Sequence, residues 1–210
     1  MAAPVFPLIG LERHRIGIDG AGVTTLAAAH GCPLRCRYCL NPQSWREDVS
    51  VKPVTPERLY DMVKTDDLYF QATGGGVVFG GGEPLLRTDF IRAFRALCGA
   101  KWRLTAETCL NVPGENLDIA MTCVDDFIVD IKDTNPDIYR RYTGGENARA
   151  LANLETLLET VGPARVTVRV PRIPGYNTAE DVARSEKAVR AMGVEIVDVF
   201  DYVVREKTYK

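Results

Sequence analysis

Val23-Thr24-Thr25-Leu26-Ala27-Ala28-Ala29 passes through His30-Gly31 into Cys32-Pro33-Leu34-Arg35-Cys36-Arg37-Tyr38-Cys39. The first seven residues predict a buried strand, and the loop at its end carries three thiols with three and then two residues between them. That spacing can turn three thiolates toward one point without help from distant chain, so a metal centre is the natural reading. A tetrahedral zinc site wants a fourth protein ligand. His14 is far upstream and His30 lies immediately ahead of the loop, so neither supplies it. Three thiolates without a fourth ligand suit an iron–sulfur cluster with one iron open to an outside group. On spacing alone, a structural zinc knuckle or a redox pair stays open as an alternative.

Outward from this loop the same unit repeats. Thr55 offers an N-cap with Pro56 at the first helical position, and Leu59, Met62 and Val63 give the helix an apolar face. Val77-Val78-Phe79 predicts a second strand ending in Gly80-Gly81-Gly82-Glu83-Pro84, after which Thr88 caps a helix with Phe90, Ile91, Phe94 and Leu97, closed near Gly99. Arg103 to Glu107 is a third strand, followed by a helical segment from Glu115 to Met121. Phe127 to Lys132 is the fourth, and its helix carries Leu151, Leu154, Leu157, Leu158 and Val161 before Gly162. Arg165 to Val170 alternates as a fifth strand, with Val166, Val168 and Val170 on one face. Thr178 caps a helix bearing Val182, Ala188, Val189 and Met192, and Glu195 to Tyr202 forms a sixth strand. Pro171 to Tyr176 reads as a loop.

Strands alternating with helices imply a parallel sheet with right-handed crossovers. A closed eight-unit barrel typically needs ~250 residues, so six units in 210 residues predict an α/β fold of the partial (β/α)6 barrel type. The parallel sheet would curve, with helices outside and one side open, as a single domain over residues 1–210. In such folds chemistry gathers at the carboxyl ends of the strands. The cysteine loop, the glycine run, Glu107-Thr108 and Asp130-Ile131-Lys132 all fall there, on one rim. A net charge of −2 gives no basic surplus for nucleic acid. The start of the chain lacks a signal peptide pattern and no stretch suits a bilayer span, so the reading is a cytoplasmic protein with reduced thiols. Cys98, Cys109 and Cys123 lack cluster spacing and read as ordinary buried thiols.

The cysteine pattern, with Tyr38 in the second of two places before Cys39, resembles the radical S-adenosylmethionine superfamily. The following Leu40-Asn41-Pro42-Gln43-Ser44-Trp45 and the Asp130-x-Lys132 segment are similar to those of activating enzymes of glycyl radical enzymes, the pyruvate formate-lyase activating group. This would be a compact form with no ferredoxin-like insert between Cys39 and Gly80. The resemblance implies a 4Fe–4S cluster on Cys32, Cys36 and Cys39, and S-adenosylmethionine held by Gly81, Gly82 and Glu83 at its amino group. It places Lys132 at the methionyl carboxylate, Tyr38 along the adenine, and Arg169, ahead of Pro174-Gly175, beside the cofactor. Glu107-Thr108 and Asp130 would help hold a monovalent cation, although Glu107 stands where a relative has Asp. Asn41 and Trp45 read as loop supports. Leu40 departs from the His often found there, and the sequence up to Lys210 lacks the histidine-bearing segment of relatives.

The resemblance further implies reductive cleavage of S-adenosylmethionine to methionine and a 5′-deoxyadenosyl radical in an anaerobic setting. That radical would remove hydrogen from a glycine of a partner glycyl radical enzyme, with flavodoxin or ferredoxin as one-electron donor and the protein itself a monomer. Two alternatives are weighed beside it. One is a radical enzyme for a small molecule, similar to 7-carboxy-7-deazaguanine synthase, which would share the cysteine loop and Gly-Gly-Glu-Pro but not especially Asp-x-Lys. The other is a non-catalytic metal or electron-transfer module.

Overall fold

The computed structural model describes residues 4–204. The last stretch of the expected departure, residues 205–210, lies outside them. Strands β1 (Phe6–Ile16), β2 (Val23–Ala29) and β3 (Lys52–Val54) come first, followed by helices α1 (Pro56–Val63) and α2 (Asp67–Thr73). Then come β4 (Gly76–Gly81), α3 (Thr88–Cys98), β5 (Arg103–Thr108), α4 (Gly114–Met121), β6 (Asp126–Asp130), α5 (Pro136–Thr143) and α6 (Ala148–Val161). The described chain ends with β7 (Val166–Arg172), α7 (Ala179–Ala191) and β8 (Ile196–Asp201).

All eight strands join one sheet in the order β3-β1-β2-β4-β5-β6-β7-β8. The six expected strands are β2, β4, β5, β6, β7 and β8, each parallel to the next. They form the curved, open α/β sheet of a partial barrel. The added strands β1 and β3 extend it antiparallel beyond β2. Strand β1 lacks a clean alternation in sequence because it shifts register twice against β2, between Leu8 and Gly10 and between Glu12 and Arg15. Such bulges break the period-two alternation that marks a strand. Phe6 and Leu8 are nevertheless buried in the core.

The outer face of the sheet carries Val77, Phe79, Leu104, Ala106, Phe127, Val129, Val166, Val168 and Val170, all packed in the main core beneath the helices. Phe79 meets Phe6 and Phe94 edge-on, each with ring centroids 5.6 Å apart. By strand alternation the inner face then receives Thr105, Glu107, Ile128, Asp130, Thr167 and Arg169. The polar residues line the lumen because the opposite parity is committed to the core.

Several helix ends follow the sequence and some do not. Thr55 accepts from Arg58 N, with Pro56 opening α1. Thr178 forms a full capping box with Asp181 on α7. Thr178→Ala should therefore cost about 1 kcal/mol, read as a lower urea midpoint at unchanged slope. Thr88, by contrast, is not a cap. A 3-10 turn over Pro84–Arg87 leads into α3, and Thr88 is its buried first residue. Helix α5 lies outside the expected elements, although Asn135 caps it by accepting from Asp137 N and Ile138 N and Pro136 opens it. Its buried face is Tyr139, Tyr142 and Thr143, which gives no aliphatic stripe to read. The fourth strand stops at Asp130, so Lys132 sits in the loop just beyond. The fifth runs through Pro171 to Arg172, where a loop was expected, and Arg165 precedes it in a turn.

Candidate active site at the carboxyl rim

The cysteine loop is fixed from two sides. Arg35 N donates to Thr143 O at 2.8 Å and Arg37 N to Tyr142 O at 3.1 Å, tying it to the end of α5. Arg35 also folds back, its Nη1 donating to Cys32 O at 2.6 Å and Leu34 O at 2.9 Å while its guanidinium lies over the Trp45 ring. On the other side the glycine run of β4 is zipped to the start of the loop. Gly82 N donates to Ala29 O at 3.0 Å and Glu83 N to Gly31 O at 2.8 Å. A Cβ on Gly82 would come within 2.3 Å of Gly31 O, so only glycine permits this approach. Those two amides are thus used within the protein.

Glu83 is fully buried and its carboxylate turns inward. It accepts from Thr108 Oγ1 at 2.8 Å, Cys109 N at 2.8 Å and Leu85 N at 3.1 Å. Burial pushes the carboxyl upward from its ordinary value, against the pull of these donors. Glu83 and Thr108 therefore join the rim loops after β4 and β5, with their polar atoms directed at each other. Thr108 and Glu107 are sequence neighbours on a strand and so face opposite ways. Thr108 supports Glu83, while Glu107 enters the lumen.

There, Glu107, Asp130, Arg169 and Lys132 form one cluster. Arg169 Nε donates to Asp130 Oδ1 at 2.7 Å and its Nη1 to Glu107 Oε1 at 3.1 Å, while Lys132 Nζ donates to Asp130 Oδ2 at 2.7 Å. Burial alone would raise the Asp130 carboxyl, but Lys132 and Arg169 outweigh it and hold it at about 2. Burial raises the Glu107 carboxyl, with Arg169 opposing. Lys132 also acts electrostatically on the sulfurs: burial pushes the Cys36 thiol up to about 12, and Lys132 is the leading influence in the other direction. The Cys32 thiol is lowered, first by a hydrogen bond from Cys109. Glu83 and Lys132 both act electrostatically on it. The sulfurs, Glu83, Asp130 and Lys132 thus lie on one rim.

Two neighbours of the loop were not legible. Cys109 packs with Leu34 and Tyr139 against Cys32 and Cys36, so it is more than a remote buried thiol. Tyr38 sits among Tyr142, Tyr176 and Tyr202, with ring centroids at 6.1, 5.6 and 6.4 Å. Tyr202 Oη donates to Tyr38 O, so the chain leaving β8 closes on the cysteine loop. No spacing rule signals contacts made between such distant elements.

The three loop thiols are free and half-buried. Among the described residues no three His, Cys, Asp or Glu side chains converge as a single metal ion would require. A cluster spreads its thiolate ligands over separate irons, and three thiols in one short loop fit that donor set.

A family model for the Radical SAM superfamily matches residues 27–185. The chain belongs to the radical SAM superfamily. Its similar curated relatives include the pyruvate formate-lyase-activating enzyme of Listeria monocytogenes, 30% identical over 194 residues, covering 88% of this chain and 77% of that protein. The pyruvate formate-lyase 1-activating enzyme of Escherichia coli is 30% identical over 193 residues, covering 88% and 76%. A domain of the Bacteroides vulgatus pyruvate-formate lyase-activating enzyme superposes with a TM-score of 0.55 at 26% identity, over 65% of this chain and 86% of that one. Streptococcus suis SuiB bound to precursor peptide SuiA shares the fold at a TM-score of 0.65 and 15% identity, over 87% of this chain and 41% of that one. The chain is thus a radical SAM enzyme of the glycyl radical activase type, and no helix among its described residues is long and apolar enough to cross a membrane.

Proposed function

We propose that this radical SAM enzyme activates a partner glycyl radical enzyme by removing a hydrogen atom from one of its backbone glycines. Cys32, Cys36 and Cys39 would hold a 4Fe–4S cluster, which would pass an electron from an outside donor for reductive cleavage of S-adenosylmethionine to methionine and a 5′-deoxyadenosyl radical. The observation that carries the reading is Lys132. Its ammonium donates to Asp130 at 2.7 Å and acts electrostatically on the Cys36 sulfur, so it would be placed to receive a methionyl carboxylate beside the cysteine loop. Its charge is secure there, since Asp130 raises its affinity for the proton despite burial.

The protein's own residues orient and enclose. The carbonyls of Gly81 and Gly82, freed of side chains, suit the amino group of the ligand, while Glu83 anchors that turn from behind through Thr108 and Cys109. Tyr38, backed by Tyr142, Tyr176 and Tyr202, gives the adenine an aromatic wall. No side chain acts as acid or base. The similar proteins that act on pyruvate formate-lyase supply the partner class. The reading includes a cytoplasmic monomer working without oxygen as one domain over 1–210, with flavodoxin or ferredoxin as donor.

Anaerobic reconstitution with iron and sulfide, followed by reductant and S-adenosylmethionine, is expected to release 5′-deoxyadenosine. Addition of a glycyl radical enzyme should give a glycyl radical signal in electron paramagnetic resonance. A colourless, zinc-loaded protein without cleavage would overturn the reading. Cleavage with no radical on any protein partner would move the substrate to a small molecule.

A further inference from the structure

The carboxylates of Glu107 and Asp130, where the resemblance places a monovalent cation, are already engaged. Arg169 reaches both, at 3.1 and 2.7 Å, and Lys132 takes the second oxygen of Asp130 at 2.7 Å. Two anions meet two cations, and the charge of the four sums to zero. A sodium or potassium ion placed between the carboxylates would have to share Glu107 Oε1 and Asp130 Oδ1 with the guanidinium, whose protons already point at them. It would also add a third positive charge to a half-buried group. The residues present do not fit the ion.

We propose that Arg169 is a built-in replacement for a monovalent cation. Its planar fork bridges Glu107 and Asp130, neutralises them, and fixes Asp130 so that Lys132 faces the cysteine loop. This rests on the reading that S-adenosylmethionine binds at this rim. The glutamate at 107 is part of the device, because the extra methylene carries its carboxylate to the guanidinium on β7. Gly80 makes the space: a Cβ there would stand 2.9 Å from Glu107 Oε2. Arg15 is paired with Asp19 at 2.7 Å and with Glu12 at 2.5 Å. On its other side Arg169 borders a cavity of about 460 Å³ together with Gly20, Thr105, Phe127, Thr167 and Asp198. Removal of the guanidinium would open the two carboxylates to this cavity, which is large enough to admit a hydrated ion.

The test uses the cluster-reconstituted protein in potassium, sodium and tetramethylammonium chloride at one ionic strength. Melting temperature and S-adenosylmethionine affinity by equilibrium dialysis are both measured. The wild type is expected to give the same melting temperature and affinity in all three salts. A higher melting temperature or tighter binding in sodium or potassium would overturn the proposal. Arg169→Gln is expected to acquire the dependence, melting about 3 °C or more higher in sodium or potassium than in tetramethylammonium. Equal melting in all three salts would overturn it as well. Should that variant fail to fold in every salt, Arg169→Lys, which keeps the charge but cannot bridge both carboxylates, is read by the same criterion. Melting is independent of turnover, so absence of cofactor cleavage would count against the proposed function and leave this result standing.

Discussion

Asp130→Asn is expected to lower stability by about 2 kcal/mol, because it leaves two half-buried cations facing a neutral side chain of the same shape. Asp130 accepts from Arg169 on one oxygen and from Lys132 on the other, both at 2.7 Å, so this single substitution removes compensation from two cations at once. Arg169 retains Glu107 at 3.1 Å, which keeps the loss from being larger. Urea unfolding of the wild type and the variant gives the difference directly. Its pH dependence gives a second check. The folded carboxyl titrates at about 2 against an ordinary 3.8, so the stabilisation is complete above the ordinary value and disappears as the pH falls through the folded one. The gap between the two proteins should stay constant above pH ~4 and narrow toward pH ~2. A constant gap across that range would show that folding does not lower the Asp130 carboxyl.

The six parallel strands and the rim they share were readable because each is a short apolar run with a polar motif at its end. That grammar needs only local information. It fails wherever a residue's partner comes from elsewhere. Glu83 reads as a ligand-facing acid, yet its oxygens are taken by Thr108, the last residue of the next strand, and by Cys109 just beyond it. Asp130 and Lys132 were legible as a pair two residues apart, whereas the reach of Arg169 to Glu107 depends on how far β5 and β7 curve toward each other. Strand β1 was hidden by its bulges and α5 by its tyrosine face. Both matter to the site: α5 pins the cysteine loop through Thr143 and Tyr142.

Cys36→Ala is expected to abolish cofactor cleavage while leaving the fold nearly intact, and this pairing makes it the more decisive experiment. The loop hangs on backbone bonds from Arg35 and Arg37 to α5, from Gly31 N to Ser44 O at 2.6 Å and from Glu83 N to Gly31 O, none of which uses a cysteine side chain. Truncating a half-buried thiol costs about 1 kcal/mol, so the circular dichroism spectrum should be unchanged. Iron and sulfide content after reconstitution should fall at least several-fold, with no 5′-deoxyadenosine. Cys109→Ala is the discriminating companion. If the centre were a four-cysteine zinc or iron site, Cys109 against Cys32 would be the fourth ligand, and its loss would match that of Cys36. With three ligands and one open iron, Cys109→Ala should retain the full iron complement, because its thiol touches a ligand without being one. Loss of iron from both variants would close the corner that S-adenosylmethionine needs.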